Sequence, residues 1–424
     1  MTFDEAKEIL LKKQIYIKKD GLDRVYKILE ALGNPQNSFK AVHITGTNGK
    51  GSVCAAMESV LKHSGYKTGF FSSPHLVCIR ERIRFCGQMI EKDEFAALFK
   101  RVFEVSDKIS FFEIITCMAF LYFKEKKVDI AFIEVGIGGK YDTTNVLPAG
   151  ALCIISSIGI DHTKYLGADE VSIAVQKAGI IKKGNVCLAY VEKENVRQAI
   201  KEEAQKAGGE VIFIDPEFEV AHYDWAINSM ILRSLKDNKK IEYCLIGENQ
   251  AVNASIAKAG LEILAQKDFK DINDKAIIEG FKDIHLEGRF QIIKKEKNIF
   301  ILDGSHNSEA MEAFAKTFQE TPFTKEDTTF VIGMLDDKNH LKMLKALMPF
   351  LRKAVFTKTA SARAIDPCAL ADEIAKVNPK IETEVHDDFD AAFLSASKSK
   401  IVVITGSFYL AGAALELIKK LEGK

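Results

Sequence analysis

Short apolar runs alternate along the chain with amphipathic stretches of helical length, and turns that carry glycine or serine separate them. This alternation is typical of βα units, which build a mostly parallel sheet with helices on its faces. The predicted strands of the first half are 40–45, 68–72, 128–135, 152–158, 186–191 and 210–214. The predicted helices between them are 52–63, 91–105, 112–123, 170–180 and 196–207. The pattern therefore predicts an α/β fold.

A second α/β series begins after residue 288. Its predicted strands are 299–302, 328–332, 353–357, 382–386 and 401–405, each followed by a helical pattern. We therefore predict two domains: residues 1–287 with a mostly parallel sheet, and residues 288–424 as a smaller, doubly wound α/β domain. Within the first domain, residues 218–247 predict a β-hairpin or a small antiparallel addition around a polar turn.

The composition limits the class of protein. Of 424 residues, 47% are hydrophobic and 28% are charged, which excludes a disordered chain, a collagen and a coiled-coil array. Lysine plus arginine equals aspartate plus glutamate at 59 each, so the net charge favours neither nucleic acid nor an anionic membrane as a partner. The eight cysteines are scattered without a CxxC pair, which is typical of reduced thiols. Since neither a secretory leader nor an apolar run of the ~20 residues that span a bilayer is present, we expect a cytoplasmic protein.

A glycine-rich turn after the first predicted strand is the first segment that points to chemistry. Its residues are Gly46, Thr47, Asn48, Gly49, Lys50, Gly51 and Ser52. Glycines let backbone amides surround phosphate oxygens, the following helix directs its N-terminus at the anion, and Lys50 adds a positive charge. The strict G-x-x-x-x-G-K-[ST] pattern fails, because Ile44 holds the first glycine position and Gly51 separates Lys50 from Ser52. We predict a P-loop-type nucleotide site that is neither a GTPase nor a kinase loop. The alternative is a βα turn with a chance lysine.

Polar residues also follow the next predicted strands. Glu134 ends one apolar strand and His162 follows another, so both are expected at the carboxyl edge of the sheet, where ligands bind. Glu134 is a candidate Mg²⁺ ligand or a helix-capping partner, and His162 can form a hydrogen bond at the same edge. Lys177 lies among apolar residues of a predicted helix, where burial lowers a lysine pKa. Such a lysine can react as a neutral amine; alternatively, Lys177 pairs directly with phosphate or a carboxylate.

Arg289 lies at the predicted domain crossing in a chain rich in lysine. A planar guanidinium can stack on adenine or clamp phosphate, and a surface salt bridge with Glu287 is the alternative. Asp303 and His306 follow the first strand of the second domain, again at a carboxyl end.

Many short motifs occur in order along the chain. They are 33–35 (GNP), 46–52, 72–76 (SSPHL), 81–83 (ERI), 112–114 (FEI), 134–139 (EVGIGG), 142–145 (DTTN), 157–162 (SIGIDH), 166–167 (LG), 177–180 (KAGI), 247–250 (GENQ), 253–254 (NA), 288–290 (GRF), 303–307 (DGSHN) and 405–407 (TGS). In this order they resemble the folylpolyglutamate synthase/dihydrofolate synthase family, which is related to the Mur ligases. The resemblance covers essentially the whole chain.

The resemblance implies an ATP-dependent ligase. In such an enzyme a substrate carboxylate attacks the γ-phosphate of ATP to give an acyl phosphate, and the amine of L-glutamate then displaces phosphate. The substrate is dihydropteroate, which gives dihydrofolate, or a reduced folate, which gains a polyglutamate tail. We expect these small molecules as the only partners, and a monomer.

The resemblance also implies residue roles. Lys50, His162 and Lys177 are the expected catalytic residues. Ser73, Glu134 and His162 would hold one Mg²⁺, and a carbamate formed on Lys177 would hold a second. Asn253, Arg289, Asp303 and His306 would contact ATP between the domains. Phe112, Asp142 and Arg82 would contact the pterin substrate, with Phe112 as a core residue in the alternative.

Two departures from the family pattern stand near these residues. Gln176 replaces a usual glutamate before Lys177, and Lys140-Tyr141 replaces a usual Arg-Leu pair. The first alters the local charge balance, and the second could shift folate specificity. Two other functions remain as alternatives: a Mur-type amide ligase that acts on another carboxylate, and a nucleotide-binding protein without catalysis.

Overall fold

The structure is a computed structural model that describes residues 1–13 and 21–422. The contacts of these residues divide the chain into two compact units. The first comprises Met1–Phe218 and Val252–Ile284, and the second comprises Glu219–Ala251 and His285–Lys424. The first unit is therefore built from two separate stretches of chain.

In the described part of the first unit, one sheet contains eight strands. They are β1 Lys40–Thr45, β2 Thr68–Phe71, β3 Ile83–Phe85, β4 Gln88–Met89, β5 Ile130–Glu134, β6 Leu152–Ile155, β7 Val186–Ala189 and β8 Glu210–Phe213. Their order is β4-β3-β2-β5-β1-β6-β7-β8. The pairs β2–β3 and β3–β4 are antiparallel, and the other pairs are parallel. Because helices cover both faces, β5 is buried along its whole length, as its continuous apolar run predicts.

The helices of this unit pack on the sheet or on one another. They are α1 Phe3–Leu11, α2 Asp23–Ala31, α3 Lys50–His63, α4 Lys92–Val105, α5 Phe111–Glu125, α6 Thr163–Leu166, α7 Glu170–Ala178, α8 Glu194–Ala207, α9 Glu248–Gln266 and α10 Asp274–Lys282, with 3₁₀ turns at Pro35–Asn37, Ile79–Arg82 and Thr143–Val146. The Ser110 hydroxyl caps α5 by accepting from the Glu113 amide, and the Glu113 carboxylate accepts from the Ser110 amide. Helix α10 packs closely on α3, since a Cβ at Gly280 would lie 2.6 Å from Cα of Val60.

The second unit contains two sheets. Its strands are β9 Phe218–Asp224, β10 Ser229–Ser234, β11 Lys240–Tyr243, β12 Gln291–Lys294, β13 Ile299–Leu302, β14 Thr328–Ile332, β15 Lys353–Thr357, β16 Glu382–His386 and β17 Ile401–Thr405. Its further helices are α11 Ser308–Gln319, α12 His340–Leu347, α13 Pro367–Val377, α14 Phe389–Ala396 and α15 Phe408–Glu422, with a 3₁₀ turn at Met348–Phe350. Strands β9 to β11 form the small sheet, and the larger sheet has the order β12-β13-β17-β14-β15-β16. Its antiparallel edge strand is β12, and the other pairs are parallel.

The predicted α/β fold with two parallel-sheet regions is confirmed, and the antiparallel addition is present as β9 to β11. The contact units differ from the predicted boundary at 288 in one segment, because residues 219–251 group with the second unit. Tyr223 and Trp225 pack on the apolar core of that unit, and the Trp225 ring centroid lies 6.2 Å from that of Phe290.

The described ranges contain no helix with both the length and the apolar character needed to cross a bilayer. All eight cysteines lie in these ranges as free thiols.

Candidate active site

The turn between β1 and α3 is built around glycine. Gly49 has a φ of 85°, which an L side chain rarely adopts, and a Cβ there would collide with Oδ1 of Asn253 on α9. A Cβ at Gly46 would likewise collide with Oγ of Ser156. Both glycines are therefore required by close approach of neighbouring groups. Asn253, which the family resemblance implies as an ATP contact, lies against the turn at Gly49, and its contact with ATP stays a prediction.

The segment after β6 holds the turn from the other side. The Thr47 amide donates to the Ser157 carbonyl at 3.0 Å, and the Asn48 amide donates to Oγ of Ser157 at 2.8 Å. Oγ1 of Thr47 donates to the Gly159 carbonyl at 3.0 Å. These bonds fix the turn before any ligand binds, as a preorganised anion site requires.

Lys50 begins α3 and folds back over the turn. Its Nζ donates to the carbonyls of Gly46 at 3.0 Å and Thr47 at 3.2 Å. The ammonium therefore lies above the turn. When a phosphate binds there, its charged oxygens would replace the two carbonyls as hydrogen-bond acceptors of Nζ.

One cleft collects the residues predicted from three separate sequence motifs. It lies at the carboxyl ends of β1 and β5 and is lined by Thr45, Gly46, Thr47, Lys50, Val135, Gly136, Ile137, Gly138, Asp161, His162, Leu166 and Lys177. The structure thus brings Lys50, His162 and Lys177 together. Asp161 and Thr45 line the same cleft and were not predicted as site residues, although Asp161 directly precedes His162 in the motif 157–162.

Lys177 is buried beneath this cleft, with only 4% of its surface exposed. Burial, followed by the positive charge of Lys50, holds its pKa well below the usual lysine range, while Asp161 and Asp142 act in the opposite direction. The pKa lowering favours a neutral, nucleophilic amine.

Glu134 ends β5 beside the start of α3 and is buried. Its Oε2 accepts from the Ser73 amide at 3.1 Å, and a Cβ at Gly51 would lie 3.7 Å from the same oxygen. The structure therefore places the predicted ligands Ser73 and Glu134 in contact, next to the phosphate turn. A buried carboxylate oxygen suits a hard cation such as Mg²⁺.

His162 lies in the cleft with an unusual backbone conformation. Its φ of 52° is in the left-handed region, and its amide donates to Oδ1 of Asp161 at 2.7 Å. Within residues 1–13 and 21–422 no group of three His, Cys, Asp or Glu side chains is placed to hold a metal. The expected ligand set differs from such a group because it draws on a serine and a lysine.

Phe112 and Asp142 meet at Gly136. A Cβ at Gly136 would lie 2.6 Å from Cζ of Phe112 and 3.1 Å from Oδ2 of Asp142. Phe112 is buried, and its ring centroid lies 5.8 Å from that of Phe71. Asp142 accepts from the amides of Ile137 at 2.9 Å and Thr144 at 3.0 Å. Burial raises the pKa of Asp142, and these hydrogen bonds oppose the rise.

Arg82 lies beside the start of α5. Its Nε donates to Nδ1 of His75 at 2.8 Å, and its guanidinium carbon lies 5.1 Å from the centroid of the Phe111 ring. Burial, followed by Arg82 and Lys7, lowers the pKa of His75 to about 3, so the imidazole is a neutral acceptor. The contact between Arg82 and His75 was not predicted from the sequence.

A second cluster in the other unit contains Arg289, Asp303 and His306. The guanidinium carbon of Arg289 lies 4.2 Å from the Phe408 ring centroid, and the His306 ring centroid lies 5.3 Å from it. Asp303 accepts from the amides of Phe290 at 2.9 Å and Ser305 at 2.8 Å. Phe408 was not predicted as a site residue, although it directly follows the motif 405–407.

The Glu287 carboxylate pairs with Lys419 at 2.9 Å. Arg289, for which a salt bridge with Glu287 was the alternative, is placed on the Phe408 ring.

Comparison with known proteins identifies the family of the chain. Residues 44–261 match the Mur ligase middle domain, and residues 288–408 match the Mur ligase glutamate ligase domain. A dihydrofolate synthase/folylpolyglutamate synthase of Bacillus subtilis is 33% identical over 406 residues, which cover 92% of this chain and 93% of the relative. The chain belongs to the dihydrofolate synthase/folylpolyglutamate synthase family of Mur ligases.

Solved structures agree with this family membership. The Mycobacterium tuberculosis folylpolyglutamate synthase, solved with ADP and AMPPCP, is 29% identical and covers 98% of each chain with a TM-score of 0.88. An Escherichia coli relative solved with DHPP and ADP is 27% identical, covers 100% of this chain and 99% of its own, and has a TM-score of 0.86. The family resemblance inferred from the motifs is confirmed, and the roles of individual residues in this synthase-family chain stay predictions.

Proposed function

We propose that this chain uses ATP to join L-glutamate to the carboxylate of a pterin substrate. A carboxylate oxygen bonds to the γ-phosphorus, and ADP leaves. The glutamate amine then bonds to the acyl carbon, loses a proton, and phosphate leaves. The observation that carries the proposal is the convergence of the phosphate turn, Lys50, His162 and Lys177 on one cleft, in a chain of this family.

The chain's own residues bind and orient the nucleotide in this proposal. The amides of residues 46–52 and the N-terminus of α3 surround the phosphates. The ammonium of Lys50 neutralises negative charge at the γ-phosphate. Asn253 supports the turn at Gly49. In the second unit, we propose Arg289, Asp303 and His306 as further nucleotide contacts, because a guanidinium held on a ring offers a flat cationic surface.

The residues beside the turn fit a divalent cation. Glu134 and Ser73 touch beside the phosphate turn, and His162 lines the cleft that contains Lys50 and Lys177. These three would hold one Mg²⁺, which supplies positive charge to the phosphates when bound. The neutral amine of Lys177 would form a bond to the carbon of CO₂ and release one proton to solvent, and the resulting carbamate would hold a second ion. Phe112, Asp142 and Arg82 would orient the pterin end.

The direct test is phosphate release from ATP in the presence of L-glutamate. We expect release with dihydropteroate or a reduced folate, and none with a UDP-linked muramyl substrate. Release only with the muramyl substrate would favour a Mur-type ligase, and no release with any carboxylate would favour a non-catalytic protein.

Replacing Glu134 with alanine should weaken Mg²⁺ binding, so that activity requires more Mg²⁺. A methyl group cannot bind a hard cation, so the Mg²⁺ concentration for half-maximal activity should rise at least ~10-fold. Titration of activity with Mg²⁺ measures this change. The control is Glu125→Ala, an exposed carboxylate that pairs with Arg101 at the end of α5. An unchanged titration would place the metal elsewhere.

Replacing Asp142 with alanine should harm the pterin substrate more than ATP. A charge-assisted hydrogen bond is worth ~1.5–3 kcal/mol, so the KM for dihydropteroate should rise roughly tenfold or more. Initial rates at fixed ATP and L-glutamate measure it, and the KM for ATP should stay within about twofold. Equal effects on both substrates would contradict a pterin contact. A native chain that extends folates without using dihydropteroate would leave polyglutamate synthesis as its only activity.

A further inference from the structure

A buried chain of hydrogen bonds leads from β1 to Asp142. Nε2 of His43 lies 2.8 Å from Oγ1 of Thr144, and that oxygen lies 2.5 Å from Oδ1 of Asp142. His43, Thr144 and Asp142 expose only 4%, 0% and 5% of their surfaces. Water therefore has little access to this chain, and each group depends on its neighbour for a partner.

The donor and the acceptor of each hydrogen bond between His43 and Asp142 follow from counting protons. Oδ1 of Asp142 also accepts from the Thr144 amide, and Oδ2 accepts from the Ile137 amide, so both oxygens act as acceptors. The Thr144 hydroxyl has one proton, which it uses to donate a hydrogen bond to Oδ1. His43 must then donate from Nε2 to the Thr144 oxygen, which makes it the neutral Nε2–H tautomer.

Two further observations agree with a neutral His43. Burial, followed by the positive charge of Lys182, lowers the pKa of His43 to about 3. Nζ of Lys182 donates to the carbonyl of Asn145 at 2.9 Å and to that of Leu147, so a cation holds the far side of the same segment. Asp142 also interacts electrostatically with Lys177 on α7 and opposes the lowering of its pKa.

We infer that His43 is a positioning residue, which acts through Thr144 to hold the Asp142 carboxylate in an acceptor orientation toward the pterin substrate. The inference rests on the proposed function, because Asp142 is the proposed pterin contact. Without His43, the Thr144 hydroxyl is free to turn away from Oδ1. The Asp142 carboxylate then loses the Thr144 hydroxyl as one of the donors that fix its plane. Its other oxygen, Oδ2, still accepts from the Ile137 amide.

The test uses paired variants of the full chain. Thr144→Val keeps the shape and removes the hydroxyl, whereas Thr144→Ser keeps the hydroxyl. His43→Leu removes the donor, whereas His43→Gln places an amide N–H near the position of Nε2. We expect the KM for the pterin substrate to rise on the order of tenfold in Thr144→Val and roughly three- to tenfold in His43→Leu. The serine and glutamine variants should restore most of this loss.

The KM for ATP should stay within about twofold in all four variants, which a general loss of structure would not allow. The matched control is Thr329→Val, a buried threonine of the second unit whose Oγ1 lies 2.7 Å from Oγ of Ser399. Parallel changes in both KM values, or no rescue by serine and glutamine, would overturn the inference. A native chain without pterin-dependent phosphate release would overturn the proposed function itself, whereas native activity with an unchanged Thr144→Val would overturn only the role of His43.

Discussion

Lys50→Ala should abolish ligation and leave the fold intact. The Nζ of Lys50 bonds only to the carbonyls of its own turn among the contacts described above, at 3.0 and 3.2 Å, so its removal opens no cavity in the apolar core. In the transition state the same ammonium would face the γ-phosphate, and loss of one preorganised donor costs ~10²–10³ in kcat. Phosphate release at saturating ATP measures the effect, and circular dichroism checks the fold.

Lys62→Ala is the matched control, because Lys62 lies on the same helix and makes an exposed ion pair with Asp283 at 3.2 Å. Exposed pairs contribute ~0–1 kcal/mol, so this variant should retain near-native turnover. If Lys50→Ala also turns over normally with saturating ATP, the assignment of residues 46–52 as a phosphate site is wrong.

Lys177→Ala should be equally inactive, for a different reason. A lysine that is 4% exposed and has a lowered pKa can add CO₂ at neutral pH, and the new carbamate would carry negative charge near Lys50. Alanine cannot form this group. Acetate or propionate in the assay should restore part of the activity, since a small carboxylate can occupy the space of the missing group.

The modification itself can be observed without activity. Native protein equilibrated with ¹³C-bicarbonate should give a carbamate carbon resonance that Lys177→Ala lacks. Lys201→Ala, an exposed lysine on α8, should keep that resonance. A native chain without the resonance would show that Lys177 acts as an amine.

The sequence predicted the parallel strands of the second unit with little error, and β13 to β17 match the predicted bounds. Buried parallel strands are continuous apolar runs between turns, so their ends are visible in the sequence. Helix α3 begins at Lys50, two residues before the predicted start, because Gly49 in the left-handed region ends the turn there. Propensity alone does not reveal such an end.

The parts of the site that the sequence did not reveal depend on contacts between distant residues. Phe408 lies more than 100 positions from Arg289, and a phenylalanine that opens a helix gives no sign that a guanidinium will lie on it. The link from His43 to Thr144 spans 101 positions and joins β1 to the 3₁₀ turn that follows β5. Strand order, which sequence periodicity does not give, decides both contacts.

The first unit is built from two separate stretches of chain, and this affects how it folds during synthesis. Helix α3, which carries Lys50, ends at His63, whereas α10, which covers it, ends at Lys282, about 220 residues later. At a synthesis rate of ~5–20 residues per second, the ribosome completes this cover roughly 10–40 s after α3. Throughout that interval the apolar face around Val60 has no native partner from α10. We therefore expect the nascent chain to need protection by a chaperone until residue 284 has emerged.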